Sequence, residues 1–316
     1  MIPGRDADNP HTIAAIMTRP ASLTRREAAL LRITNQFLAH PPAYSPAQIV
    51  AWMGAIQGQD FKASSQAIAL RGAGLDSSAV DQAYRDRTIV RTWPMRGTLH
   101  VVPAEDAGWM VRLLAHRSLK AAKTRHAQLG LDDATVARAM QVFEDQLGAG
   151  GEKTRPDLFA SLSQSGIDPT QQRGVHLIGI AAQTGLVVGT GFRDRQPTFA
   201  WSESWITRPA TLDTDEAWSE LAWRYIQSHG PVTEPDFAWW TGSTLTAARS
   251  AFASHESKLM TVVVDQVAYV AAADRATPDA RAHREILAPA FDEIFLGYQS
   301  RDLLLDRELH RLVVPG

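Results

Sequence analysis

The sequence predicts an α+β fold, mostly helical, in which sets of helices are closed three times by a β-hairpin. Three observations carry this. Apolar residues recur at helical spacing through most of the 316-residue chain. Three pairs of short β-rich runs flank turns built of Gly, Asp, Arg or Gln. The order of helices followed by a hairpin returns with little residue identity between the rounds, so the repetition is one of elements.

Residues 1–20 are polar, proline-bearing and aperiodic, and read as an N-terminal arm. The first round spans 21–103. Ser22 to Glu27 offers helix-start chemistry, because Ser and Thr hydroxyls accept from free N–H groups. Ala29, Leu30, Ile33, Phe37 and Leu38 follow on one face, and Pro41-Pro42 stops the helix. Ser45-Pro46 opens a second helix with Ile49, Met53 and Ile56, and residues 77–85 make a short third. Thr88 to Trp93 is a strand by its β-branched content. Met95-Arg96-Gly97 turns it and Thr98 to Val102 returns. Three helices and a hairpin are the order of a winged helix.

The second round, 104–208, has helices at 132–147, 154–162 and 173–184, and strands 185–188 and 197–201 around a Gly/Arg/Asp turn. The third, 209–275, has helices at 215–228, 233–240 and 245–255 and strands 260–264 and 267–271. Residues 276–316 form a C-terminal segment. Three tandem winged-helix units are expected; the alternative is one irregular α+β domain with three unrelated hairpins.

Composition narrows the function. The chain has no cysteine, which excludes a disulfide scaffold, a cysteine-ligated metal and a thiol nucleophile. The N-terminus lacks the apolar core of a signal peptide, and no apolar run approaches a membrane span, so a cytoplasmic protein is expected. The net charge of −2 gives no global sign of nucleic acid. Locally the balance differs: residues 85–126 hold nine Lys/Arg against three acids, and 112–126 hold no acid. Such a field suits phosphate, although a solvated basic helix explains it equally. Trp52, Trp93, Trp109 and Trp223 lie on apolar faces, whereas Trp239-Trp240 cannot both be buried by one helix face. No phosphate-binding loop, His-Glu-x-x-His or Gly-x-Ser-x-Gly motif is present, so neither metal nor cofactor is expected.

Gln57-Gly58-Gln59 is the unusual chemistry. Two glutamines follow an apolar helix; if the chain extends they share a face, and if it stays helical they diverge. A carboxamide pair can hold a water through both donors and acceptors. Around it, Ala55 to Asp60, Ala67 to Arg71, Thr92 to His100, Pro103 to Asp106, Leu287 to Asp292 and Leu296 to Arg301 stand in an order that resembles the AlkZ/YcaQ family of winged-helix DNA glycosylases.

The resemblance covers roughly residues 20–316 and implies tandem winged helices in a C-shape around duplex DNA, acting as a monomer. It implies excision of alkylated purines, in some members from interstrand crosslinks. By motif, Gln57 and Gln59 are the catalytic pair, placing a water for attack at C1′ in an open, cation-bordered hollow. An alkylated purine is already cationic and leaves without strong acid catalysis. Arg71, Arg91, Arg96, Thr98, His100, Arg117, Lys120, Lys123 and Arg125 are the expected DNA contacts, Arg96 foremost. Two departures stand out. Gly58 replaces a branched aliphatic, which implies a looser loop, and the C-terminal β region looks truncated beside relatives.

Smaller alternatives remain. Asp60 is a base or a helix cap, His100 faces the cleft or the core, and Asp292 suits a structural turn. The competing functions are a DNA-binding regulator that cuts nothing and a protein-interaction scaffold.

Overall fold

The computed structural model describes residues 21–275, 277 and 285–310. The predicted N-terminal arm and residues 311–316 lie outside them. The fold is mixed α+β and mostly helical, as the sequence predicts.

Strand β1 (Ala21–Ser22) leads into α1 (Arg25–Asn35). Thr24 and Glu27 form a reciprocal cap there, each side chain accepting from the other's backbone N–H. Ser45 and Gln48 repeat it for α2 (Pro46–Met53), with Pro46 at the first helical position. That helix ends at Gly54, whose φ of 75° reverses the chain. The next residues extend as β2 (Ile56–Gln57), so the glutamine motif leaves the helix. Asp60 caps α3 (Phe61–Leu70), its carboxylate accepting from Ala63 N–H at 3.0 Å. Helix α4 (Ser77–Arg85) and the hairpin β3 (Ile89–Met95) and β4 (Thr98–Pro103) complete the first round.

The second round opens with a long helix, α5 (Ala107–Gln128), then α6 (Asp133–Leu147), β5 (Lys153–Thr154), α7 (Arg155–Gln164) and α8 (Arg173–Gln183). Its hairpin is β6 (Val187–Arg193) and β7 (Gln196–Trp201), followed by α9 (Ser202–Trp205). The third round is α10 (Thr214–His229), α11 (Glu234–Thr241), α12 (Leu245–Ala253) and the hairpin β8 (Leu259–Val264) and β9 (Val267–Ala272). A short helix, α13 (Glu293–Leu296), lies in the C-terminal segment.

All three hairpins turn through two residues with positive φ: Arg96-Gly97, Asp194-Arg195 and Asp265-Gln266. This is the turn geometry whose twist matches that of paired strands. It costs the non-glycine residues about 1 kcal/mol each, and the paired strands offset it.

The hairpins do not form three separate sheets. Strands run β2-β4-β3-β6-β7-β5 in one six-stranded sheet, joined between the first two rounds at Arg91 and Gly189. A Cβ at Gly189 would lie 3.2 Å from Arg91 Cβ, so the two strands cross closely at the glycine. The third hairpin pairs with β1 in a three-stranded sheet. The largest apolar core is also shared: Met95, Trp109 and Leu114 pack with Leu221, Tyr225, Phe237, Trp240 and Tyr298. Trp240 is buried there while Trp239 is 47% exposed, the divergence that adjacent helical positions require.

The C-terminal segment is clamped by buried polar groups. Arg71, fully buried, donates to both Asp292 oxygens (2.6 and 2.9 Å), to Gln36 Oε1 (2.8 Å) and to Ala67 O (3.0 Å). Gln36 donates to the Tyr298 hydroxyl, which donates to His229 O, and Tyr225 donates to Gly297 O. Asp292 also caps α13 by accepting from Ile294 N–H. The clamp ties the first round to the third and carries Glu293 to the glutamine motif.

Candidate active site

Strand β2 is an edge strand, and that decides how the motif is held. Gly58 N–H donates to Leu99 O at 2.7 Å. Gln57 therefore faces its register partner His100 at a non-hydrogen-bonded position, where opposed side chains lie closest. The Gln57 N–H points away from β4, and the Glu293 carboxylate accepts it at 2.9 Å. The other Glu293 oxygen accepts from Trp240 Nε1 at 3.0 Å. A fully buried carboxylate thus occupies the donor that an edge strand leaves unmatched.

Burial alone would raise the Glu293 carboxyl. His229, His100 and Arg96 outweigh it and hold the group down at about 2. His229 Nε2 lies 3.8 Å away, and burial lowers that imidazole.

The two glutamines differ. Gln59 is exposed, and its Oε1 accepts from Leu99 N–H at 3.1 Å, a ladder position filled by a side chain. Gln57 is only 9% exposed, and its enclosed Oε1 has no hydrogen-bond partner. Of the two amides expected to share one open hollow, only Gln59 is open to solvent. Gly58 is not loose either. Its N–H is in the ladder, its carbonyl accepts from Arg91 Nη2, and a Cβ would sit 3.3 Å from the β4 backbone at His100 and Val101.

His100 shares this face of the sheet and is fully buried. Its Nδ1 lies 3.0 Å from Thr98 O, which can only accept, so Nδ1 carries the proton. Nε2 has no partner. Burial, then the Arg96 charge, push the imidazole down to about 4.

A family model described as DNA glycosylase AlkZ-like matches residues 50–316. The chain belongs to the AlkZ-like DNA glycosylase family. An interstrand DNA cross-link repair glycosylase of Streptomyces sahachiroi is 25% identical over 315 residues, covering 92% of this chain and 81% of that protein. The solved structure of Streptomyces sahachiroi DNA glycosylase AlkZ shares the fold at a TM-score of 0.75 and 21% identity, covering 92% of this chain and 82% of its own.

Not every expected DNA contact of this AlkZ-like chain is on the surface. Arg71 is committed to Asp292 and cannot reach a phosphate, which corrects the expectation. Arg91 is likewise internal, its guanidinium lying against Phe61 and Phe192 while bonding Gly58. His100, on β4, is fully buried and so is not a surface contact for the DNA backbone.

Thr98 is half-buried and donates to Met95 O. Arg96 is half-buried at the hairpin tip, donating to Trp239 O at 3.4 Å, with burial lowering its guanidinium. Arg117, Lys120, Lys123 and Arg125 are exposed along α5, and Arg125 bonds Gln172. Gly97 at the hairpin tip is packed close to Ser118, so this basic helix adjoins the hairpin. Arg112, His116 and Arg117 also border a cavity of about 490 Å³ reaching Ser243 and Thr244.

Sequence reasoning missed Glu293 and Trp240. The available signal was an acidic pair, Asp292-Glu293, set in an otherwise apolar run between Leu287 and Gly297. Among the described residues no group of three His, Asp or Glu is placed to hold a metal ion, and no helix is long and apolar enough to cross a membrane.

Proposed function

We propose that this protein is a DNA repair glycosylase that hydrolyses the N-glycosidic bond of alkylated purines in duplex DNA, interstrand crosslinks included. The observation that carries the reading is the glutamine motif itself: Gln57 ends the edge strand β2 and Gln59 follows two residues on, the pair held by Glu293, Arg91 and the β4 strand. Rigid support of this kind is what a catalytic constellation needs. The Streptomyces sahachiroi relative, a cross-link repair glycosylase by name, supports the choice of substrate.

In this reading the three helix-hairpin rounds are winged helices arranged as a C around the duplex. The exposed cations of α5 and Arg96 take the backbone phosphates, and the protein acts as a monomer. The purine, cationic through its alkyl group, leaves as a neutral base. Water adds at C1′, and the amides of Gln57 and Gln59 orient that water. The developing oxocarbenium charge is stabilised by the amide dipoles and the DNA phosphate.

Burial of Gln57 favours a second reading, a DNA-binding protein that does not cut. One experiment separates the two. A duplex with a single 7-methylguanine, and another with an N7-linked crosslink, are incubated with the protein. The glycosylase reading expects free base and an abasic site. Binding of both duplexes without release from either leaves the second reading.

A further inference from the structure

Two buried acceptors near the motif have no partner, and both belong to residues directly opposed across one strand pair. One is Gln57 Oε1; the other is His100 Nε2, a bare lone pair because the ring proton is held on Nδ1 by Thr98 O. At a non-hydrogen-bonded position their side chains stand on one face with Cβ atoms about 4.5–5.5 Å apart. A buried polar atom left unmatched costs stability, so an orphaned pair is kept where something else uses it. Two unpartnered acceptors on directly opposed side chains match the two protons of one water. That arrangement leaves the water oxygen lone pairs free, which a donor pair would not.

We infer that His100 is a catalytic residue of the proposed reaction, its Nε2 accepting a proton from the attacking water while Gln57 Oε1 holds the other. The inference rests on the glycosylase reading. The water oxygen forms the bond to C1′ as the C1′–N bond breaks. The bonding pair leaves with the purine and cancels its positive charge. The proton released from the water passes to Nε2, and the imidazolium then returns it to solvent. Burial, and then Arg96 from the same hairpin, disfavours a resting imidazolium, so the ring stays ready to accept. Glu293 favours the charged form once the proton arrives. The neutral amides alone have no group that can take this proton.

The test uses the full chain and the 7-methylguanine duplex under single-turnover conditions. In His100→Asn the amide nitrogen replaces Nδ1 and keeps the Thr98 bond, but no acceptor remains at the Nε2 position. His100→Gln restores a hydrogen-bond acceptor there but no group that can hold the proton. The expected result is a release rate about 10²-fold lower in both His100→Asn and His100→Gln, with unchanged affinity for undamaged duplex; a His100→Gln rate near that of wild type would show that the site needs only a hydrogen-bond acceptor and overturn the proton transfer. A His100→Asn rate within about threefold of an active wild type overturns the inference and leaves the glycosylase reading intact. A wild type that binds but releases nothing overturns both. Because a variant can misfold, the wild-type protein labelled with 15N-histidine gives a second readout. An unprotonated Nε2 at neutral pH is expected, and an Nε2–H tautomer overturns the inference.

Discussion

Asp292→Ala should be the most damaging single substitution outside the apolar core. Arg71 and Asp292 are both fully shielded from solvent and meet through two bonds of 2.6 and 2.9 Å. Removing the carboxylate leaves a guanidinium whose remaining partners, Gln36 Oε1 and Ala67 O, are neutral. Breaking one side of a buried pair costs about 3–5 kcal/mol. Asp292 also accepts from Ile294 N–H, and losing a helix cap adds about 1 kcal/mol. The expected loss is therefore about 4–6 kcal/mol, a large share of a typical domain's stability. Urea unfolding with linear extrapolation measures it. Asp292→Asn keeps an acceptor and the cap, and should lose less. Arg71→Met with Asp292→Leu should be milder than Asp292→Ala, because no charge is stranded. An Asp292→Ala protein within about 1 kcal/mol of wild type would refute the reasoning, since the buried guanidinium would then have found another counter-charge. Glu293 adjoins Asp292, so the same variant should also release the Gln57 main chain and slow catalysis.

Three further outcomes are expected. Lys120→Gln with Lys123→Gln should weaken duplex binding without regard to sequence and reduce the log–log salt slope by about 1.8, read by titration from low to moderate salt; an unchanged slope means that α5 does not face DNA. Stability should fall as pH drops from about 6.5 to 4, because the unfolded state protonates His100 before the folded state does, for which the value is about 4. That share is about 3 kcal/mol, is lost in His100→Asn, and is joined by a share from His229, so the variant's pH slope should be shallower but not flat. Gly242→Ala should destabilise by about 1–2 kcal/mol, since φ there is 70° and a Cβ would sit 3.2 Å from Arg96 Cγ; unaltered thermal unfolding would mean that the hairpin tip does not bear on α11.

Local chemistry explains what was legible in the sequence. Helix starts at Thr24, Ser45, Thr154 and Thr233 carry their caps within three residues, and all four form as read. The hairpins announce themselves through β-branched runs and turn residues, and the β3-β4 and β8-β9 ends fall within two residues of expectation. The glutamine motif was visible as residues, but its geometry was not. Whether Gln57 and Gln59 share a face depends on β2 pairing with β4, a contact more than 40 positions away.

Partners distant in sequence account for the misread cations. Arg71 looks in sequence like any surface arginine, and its carboxylate lies 221 positions further on. Glu293, which anchors the motif, is 236 positions from Gln57. The setting of Gln57 has the same origin, since its N–H is taken by the C-terminal segment through Glu293.

The glutamine pair is tested most directly by single-turnover release from the 7-methylguanine duplex, comparing wild type with Gln57→Ala/Gln59→Ala. Loss of about 10²–10⁴-fold in rate, with duplex affinity and thermal unfolding unchanged, is the expected result. Release by the double variant at the wild-type rate would contradict it and move the chemistry away from β2.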